Sequence, residues 1–301
     1  MLTCINSSGL RIVGLRSLPT PKADRIYCTL LGPAARALLP ELDGCQKSVW
    51  SFIHKLGSPR WFYQMTTPWL PYLALAAGLL LLTGSVWGLA FAPPDFRQGN
   101  SYRIIFVHVP AAFVSLAGYY LMATAGAVSL IWKIKVSDMV LKSCAGIGAA
   151  MTFIALVTGA IWGKPTWGTW WVWDARITSM LVLLFLYLGV VALYQAFEDR
   201  DVAAKACAVL SLVGTVNIPI IYKSVDWWFS LHQPASIKFS GAPSMHPDMW
   251  KPLFVMIAGF YCLYALAVVL SLRSEILERE ERARWVEELA SGGPGSTPGI
   301  G

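Results

Sequence analysis

Two histidines in this sequence have the surroundings expected of metal ligands. His108 lies in the apolar segment YRIIFVHVPAAF, and a histidine at membrane depth is rare enough to be a functional candidate. His232 follows aromatic residues in VDWWFSLHQ. Neutral imidazole binds iron well, and two histidines from separate elements can hold a haem from both faces. Either histidine alone could equally be a hydrogen-bonded structural residue, so the pair is what favours a haem site; His246, in PSMHPDMW, is a third possible ligand.

A tryptophan-rich segment, WGKPTWGTWWVWDAR at residues 162–176, lies between the two histidines in the sequence. An aromatic belt at the lipid headgroups is one explanation, but belts place only one or two tryptophans at a helix end. Exposed large rings are costly unless something apolar covers them, and indole faces stack on planar conjugated rings. The segment therefore predicts a platform for a large flat ligand or an apolar partner. It contains five of the fourteen tryptophans: Trp162, Trp167, Trp170, Trp171 and Trp173.

Charged and aromatic residues beside these groups complete the candidate site. Asp174 and Arg176 could brace the tryptophan-rich segment internally, or Arg176 could meet a ligand carboxylate. Arg103, in the segment that leads into the first candidate histidine, could neutralise a haem propionate. If the residues after the fifth apolar run are helical, Trp228 lies on the same face as His232.

The composition is that of a multi-pass membrane protein. Of the 301 residues, 56% are hydrophobic and 14% are charged, whereas about a quarter of the residues in soluble domains are charged. A disordered chain would be poor in apolar residues, and a nucleic-acid-binding protein would carry its basic charge on a soluble face. Six apolar runs are long enough to cross a bilayer and predict an all-α integral membrane protein with six transmembrane helices: 69–92, 104–132, 140–162, 177–197, 206–222 and 253–272.

Basic residues outside these runs predict the orientation. Seventeen Lys and Arg lie on the side that contains both termini, and seven lie on the side of 93–103, 163–176 and 223–252. The first 49 residues supply six of the seventeen, and charges so far from a span count little. We expect both termini to be cytoplasmic. The tryptophan-rich segment is predicted to form one periplasmic loop between the third and fourth runs, carrying all five tryptophans. Lys142, at the start of the third run, is expected to reach the membrane surface.

The chain divides into three predicted parts. Residues 1–48 have no reliable helical pattern, and 49–272 form the membrane domain, of which 49–63 is predicted to be an interfacial helix. Residues 273–301 are predicted to be a charged cytoplasmic helix, over 273–290, and a flexible tail. Three Glu–Arg pairs four residues apart support that helix: Glu275–Arg279, Glu278–Arg282 and Glu280–Arg284.

The sequence indicates no other chemistry. The six cysteines have neither metal-ligand nor disulfide spacing, and a buried inert thiol is the expected state of those in the apolar runs. The sequence contains no Walker P-loop, no GxGxxG after a strand, no HExxH and no CxxC. Nothing in the motifs therefore predicts a nucleotide site, a protease or a redox thiol pair.

The tryptophan-rich segment resembles the WWD signature of haem-handling membrane proteins. The chain also has six predicted spans, QGNSYRIIFVHVPAA before the segment and DWWFSLHQ after it. In these features it resembles the haem exporter protein C family of the bacterial cytochrome c maturation system. The resemblance covers residues 50–275 approximately. It leaves residues 1–48 as an extension, either a gene-model artefact or a real tail, which mass spectrometry of the mature N-terminus would distinguish.

The resemblance implies a site for haem in transit at the outer face of the bacterial inner membrane. The family binds b-type, non-covalently held haem, with two external histidines as axial ligands and the tryptophan-rich segment against the porphyrin. By motif, those histidines are His108 and His232. His246 matches no family position and is left outside the core site.

The resemblance also implies partners. The family presents haem to a periplasmic haem chaperone, and it works with the ATPase and membrane subunits of an ABC transporter and with a small single-span subunit. ATP hydrolysis would take place on those partners, in agreement with the missing P-loop, so the chain itself is expected not to be an enzyme. No nucleic-acid partner is expected.

Two other classes of function fit part of the pattern. A haem lyase acting directly on apocytochrome would need a large external surface, and the longest external loop is only residues 223–252. A respiratory b-type electron-transfer subunit would hold histidine pairs deep within facing spans, whereas only one histidine lies inside an apolar run here.

Overall fold

The computed structural model describes residues 55, 57–232 and 245–291, and the predicted extension over 1–48 lies outside them. Apart from one isolated bridge between Asp95 and Gly99, the regular structure of the described residues is helical. The predicted six-helix membrane fold is confirmed. Six segments are long and apolar enough to cross a membrane and are called the first to sixth spans: Pro59–Phe91, Asn100–Trp132, Lys135–Trp167, Ala175–Ala196, Arg200–Trp227 and Pro247–Arg279.

The first span begins earlier than the sequence predicted. A helix at Pro59–Thr66 continues through a short 3-10 turn into the helix Leu70–Val86, and a π turn at Trp87–Phe91 ends the span. At this junction the Thr66 hydroxyl donates to the carbonyl oxygen of Phe62 in the preceding helical turn, at 2.9 Å. Residues 59–63 of the predicted interfacial helix are therefore the start of the first span, and residues 49–54 and 56 lie outside the described residues.

The second, third and fourth spans pack closely at mid-depth. A Cβ added to Gly148 of the third span would lie 2.2 Å from the ring of Tyr187 in the fourth span, so only glycine allows this approach. The buried Tyr187 hydroxyl reaches past it to the second span, where it donates to Ser115 O at 2.7 Å. The contact satisfies a buried polar group and ties three spans together between the two ends of the molecule.

The third span extends beyond its predicted end at residue 162. Its helix includes Pro165 and stops at Gly168, whose φ of 80° costs glycine little. Trp162 and Trp167 therefore lie on the helix, and the other three tryptophans of the segment precede the fourth span in non-helical chain. The prediction of a single loop carrying all five tryptophans was wrong, because the helix tolerates the proline near its end.

The fifth span consists of two helices, Arg200–Gly214 and Asn217–Trp227, separated by a short break. At the break, Asn217 Nδ2 donates to the carbonyl oxygen of Ser179 in the fourth span at 2.9 Å. A partner for this amide is needed because a membrane interior offers little water to polar groups. The span is longer at both ends than the predicted run 206–222.

The sixth span ends in a charged segment that is broken rather than continuous. The helix stops at Arg279, and a separate helix begins at Arg284, so the prediction of one helix over 273–290 was wrong. Of the three predicted Glu–Arg pairs, all within described chain, only Glu275–Arg279 forms, at 2.6 Å. Glu280 instead accepts a hydrogen bond from Trp285 Nε1 across the break, at 2.6 Å.

An ion-pair cluster joins the third span to the sixth at the end where the third span begins. We call it the charged cluster; it consists of Asp138, Lys142, Glu275 and Arg279. Arg279 donates to Asp138 Oδ2 at 2.5 Å and to Glu275 Oε1 at 2.6 Å, and Lys142 donates to Glu275 Oε2 at 2.6 Å. Lys142, predicted to reach the membrane surface, is thus bound to a buried carboxylate, with its side chain 38% exposed. The cluster balances two acids with two bases, as charges removed from water require.

Candidate functional site

The connections at the opposite end of the molecule bring the predicted site residues together. The chain after the first span reaches the third span, where Gln98 Oε1 accepts from Trp162 Nε1 at 2.8 Å. The chain before the fourth span meets the chain after the fifth, where the Ser230 hydroxyl donates to Asp174 Oδ2. We call this end, which carries the tryptophan-rich segment, the tryptophan end.

His108 is held by the third span in a defined orientation. Its Nδ1 lies 2.9 Å from the carbonyl oxygen of Ala155 and 3.2 Å from Thr158 Oγ1. A carbonyl oxygen can only accept, so the proton of a neutral imidazole belongs on Nδ1. That assignment leaves Nε2 with its lone pair, which is the state a metal-ligating histidine needs.

The third span also fixes the room available to the His108 ring. A Cβ on Gly159 would lie 3.0 Å from His108 Cε1 and 3.4 Å from its Nδ1, so glycine leaves just enough space for the imidazole. The indole of Trp162 lies edge-on to the same ring, with centroids 5.7 Å apart. The imidazole is therefore confined by one helix through a hydrogen bond, a glycine and an aromatic ring.

His232 lies in non-helical chain beyond the fifth span. The helix ends at Trp227, and Trp228 is extended, with φ −129° and ψ 156°. The condition for Trp228 and His232 to share a helical face is not met. The His232 backbone N–H donates to Ser230 Oγ at 3.1 Å, and its ring centroid is 6.2 Å from that of Trp167.

Both histidines lie beside the last turns of the third span, although His108 comes from the second span and His232 from the chain after the fifth. The His108 ring has Trp162 as a neighbour, and the His232 ring has Trp167. The tryptophan end therefore holds two imidazoles, each beside an indole of the same helix.

Asp174 braces the tryptophan end instead of facing outwards. It is 8% exposed, and its Oδ1 accepts from the backbone N–H of Ile177 at 2.8 Å, which caps the fourth span. Its Oδ2 accepts from Ser230. Of the two roles that the sequence allowed for the pair Asp174 and Arg176, the structure gives bracing to Asp174.

The two arginines of the predicted site differ in their surroundings. Arg103 donates from Nη2 to the carbonyl oxygen of Ala92 at 2.8 Å, while its buried Nε has no hydrogen-bond partner among the described residues. Arg176 is half-buried, and no carboxylate of the described chain lies within ion-pair distance of it. Both guanidinium groups therefore retain donors that a ligand carboxylate could use.

The remaining tryptophans of the site are largely exposed. Trp173 is 74% exposed, Trp170 is 57% exposed and Trp228 is 50% exposed. Trp171 packs edge-on against Trp173, with centroids 5.4 Å apart. Exposed indoles grouped in one part of the chain are typical of a binding surface.

A cavity of about 610 Å³ lies beside the site, between the chain after the first span and the start of the sixth. Tyr102 and Trp162 line it on one side, and His246 lies on the other. His246 is exposed and caps the sixth span by accepting from the Asp248 backbone N–H at 3.4 Å. Within the described residues, no three His, Cys, Asp or Glu side chains are grouped to hold a metal ion.

Several residues of the site were not identified from the sequence. The Ala155 carbonyl and the Thr158 hydroxyl hold His108, yet backbone carbonyls leave no mark in a sequence. Gly159 gave a weak signal as one glycine among many in apolar helices. Ser230 gave the clearest missed signal, because a serine two residues before a candidate ligand can bond to its backbone N–H.

The fold and site together define a class: a six-span helical membrane protein that pairs two imidazoles with clustered indoles at one membrane face. Comparison with known proteins narrows the class to one family. Residues 52–287 match the family described as Heme exporter protein C, and the chain belongs to that family.

Individual relatives support the assignment over most of their length. The chain is 49% identical to Heme exporter protein C of Escherichia coli (strain K12) over 241 residues, which cover 80% of this chain and 97% of that protein. It is 47% identical to the protein of the same name from Haemophilus influenzae over 242 residues, 80% and 98% of the two chains. For Bradyrhizobium diazoefficiens the identity is 45% over 228 residues, 76% and 86%. The resemblance read from the tryptophan-rich segment is confirmed.

Proposed function

We propose that this chain binds haem at the tryptophan end, with His108 and His232 as axial ligands of the iron, and serves cytochrome c maturation. The hydrogen bond between His108 Nδ1 and Ala155 O carries the proposal, because it directs the other ring nitrogen, Nε2, to act as the ligand. The name of the family, Heme exporter protein C, supports haem as the cargo.

The aromatic and basic residues of the tryptophan end suit a porphyrin. Trp162 and Trp167 stand beside the two histidines, where their indoles would line a flat ring held between the imidazoles. A bound porphyrin would also cover part of the exposed indole surface of Trp170, Trp171, Trp173 and Trp228. The guanidinium groups of Arg103 and Arg176 have donors left for the two propionates.

The chain acts in this proposal as a carrier and not as an enzyme. It holds b-type haem without a covalent bond and leaves one ring edge accessible to a periplasmic haem chaperone, which captures the haem covalently. The ATPase and membrane subunits of an ABC transporter supply the energy of ATP hydrolysis, and a small single-span subunit completes the complex. The word exporter in the relatives' names supports membership of such a transport assembly.

The chain is placed in the bacterial inner membrane with both termini in the cytoplasm. The excess of Lys and Arg on the side of the termini supports this orientation. The charged cluster then faces the cytoplasm, and the tryptophan end faces the periplasm, where the chaperone is found.

Histidine replacement tests the haem site. His108→Ala and His232→Ala are compared with wild type. His246→Ala is the matched control, because it removes an exposed histidine at the same end of the molecule. Each protein is purified with its partner subunits, and haem is quantified by absorption alongside the c-type cytochromes of the host cells. Loss of haem and of cytochromes in the first two variants, but not in the third, is the expected result. Unchanged haem in both site variants would show that the ligands lie elsewhere.

Presentation to the chaperone is tested separately. Haem-loaded complex is mixed with apo-chaperone and ATP, and covalent haem on the chaperone is detected by haem staining after denaturing electrophoresis. We expect wild type to transfer haem and Trp173→Ala to transfer less, because the indole of Trp173 is 74% exposed and available for contact with the chaperone. Cytochrome maturation in cells without any chaperone would instead support a haem lyase.

A further inference from the structure

We infer that Ser230 and Asp174 position His232 as an iron ligand, through a hydrogen-bond chain that runs from the start of the fourth span to the His232 backbone. The inference rests on the proposed function, since it concerns one of the two proposed ligands. In this inference Asp174 of the WWD signature holds Ser230, and Ser230 is a positioning residue that holds the His232 backbone.

The chain begins at a rigid anchor. Asp174 is buried, and the bond from Ile177 N to its Oδ1, 2.8 Å long, fixes the carboxylate to the first turn of the fourth span. The second oxygen, Oδ2, accepts a hydrogen bond from the Ser230 hydroxyl. An ionised carboxylate is an acceptor only, so the direction of this bond is set: serine donates.

The second link uses the remaining capacity of the serine hydroxyl. While its O–H donates a hydrogen bond to the carboxylate, Ser230 Oγ accepts a hydrogen bond from the backbone N–H of His232 at 3.1 Å. A backbone N–H can only donate, so this direction is also set. A hydroxyl oxygen can donate one hydrogen bond and accept another at the same time, so a single serine makes both links.

The local backbone explains why such an anchor is needed. The helix of the fifth span ends at Trp227, and the following residues up to His232 are not helical. His232 therefore lies beyond the helix of the fifth span, whereas His108 lies within a helix and its ring Nδ1 is bonded to Ala155 O. The two ligands are thus held differently, and the Asp174–Ser230 pair supplies for His232 what the helices supply for His108.

The chain predicts a specific defect when it is broken. Without the Ser230 hydroxyl, His232 keeps its imidazole but loses its backbone anchor, so the iron spends more time bound to His108 alone. Iron with two imidazole ligands is low-spin, and iron with one is five-coordinate and high-spin. Ser230→Ala removes both hydrogen bonds of the chain, one of them to a carboxylate, and should raise the high-spin to low-spin ratio about tenfold.

The test compares Ser230→Ala with Ser230→Thr in the haem-loaded complex. The threonine variant keeps the hydroxyl and should keep the wild-type absorption spectrum, while the alanine variant should show the high-spin bands. Added free imidazole should return the alanine variant to the low-spin spectrum by occupying the vacated iron position. Asp174→Asn weakens the chain at its other end and leaves Ser230 itself unchanged. Gel filtration verifies that each variant is folded.

The outcomes separate the inference from the proposed function. If Ser230→Ala and Asp174→Asn both keep the wild-type spin ratio while His232→Ala turns high-spin, the positioning chain is wrong and the ligand assignment stands. If His232→Ala itself keeps the low-spin spectrum, the proposed function fails. If the alanine variant is high-spin but free imidazole does not restore it, the defect is a general loss of the pocket and the inference is overturned.

Discussion

Replacement of Gly159 by alanine tests the geometry around His108 in isolation. The new Cβ would lie 3.0 Å from His108 Cε1 and 3.4 Å from its Nδ1, so the imidazole must move by a few tenths of an ångström. That movement disturbs the 2.9 Å contact with Ala155 O. A weakened hydrogen bond and a strained side-chain torsion together cost about 1–2 kcal/mol. The expected loss of haem affinity is therefore about 5- to 30-fold.

Gly146→Ala is the matched control, because it lies on the same helix and a Cβ there meets nothing within 4 Å. Alanine is a better helix former than glycine by about 1 kcal/mol, so neither variant should lose stability through helix propensity. Haem titration of the purified proteins, followed by absorption, gives the affinity, and thermal unfolding without haem gives the stability. Haem binding by Gly159→Ala as tight as that of Gly146→Ala would refute the reasoning about His108.

Two further predictions concern the scaffold, and both are measured by thermal or denaturant unfolding of the detergent-solubilised protein. Arg279→Ala leaves two buried carboxylates short of a partner and should cost about 3–5 kcal/mol, whereas Arg282→Ala, whose side chain is 94% exposed, should change stability by less than about 0.5 kcal/mol. Gly148→Ala drives a methyl group into the ring of Tyr187 and should cost about 1–3 kcal/mol, and equal stability of Gly148→Ala and wild type would show that this contact is not tight.

The sequence was sufficient to predict the fold because the bilayer imposes a simple rule on it. Each spanning helix must be long and apolar, and that pattern is visible without any knowledge of the packing. The ends of the helices were predicted less well. The third span continues through Pro165 to Trp167 and ends at Gly168, and the helix of the sixth span breaks after Arg279. Neither the proline tolerated in a last helical turn nor the break within a charged segment is visible in the pattern of apolar residues.

The candidate site was predicted as a set of residue types and not as an arrangement. His108, His232 and the tryptophans were identified because their types are rare at membrane depth or unusually dense. Their partners were not, since Ala155 contributes only a backbone oxygen and lies 47 residues from His108 in the sequence. The bond between Ser230 and Asp174 likewise joins positions 56 residues apart, which a single sequence does not link.

A structure of the haem-loaded complex, determined by electron cryomicroscopy, would test the central claim most directly. We expect iron bonded to Nε2 of His108, with Nδ1 of that ring still bonded to Ala155 O, and to an imidazole nitrogen of His232 on the opposite face of the porphyrin. Iron bonded to neither histidine, or bonded to Nδ1 of His108 with the contact to Ala155 broken, would contradict it.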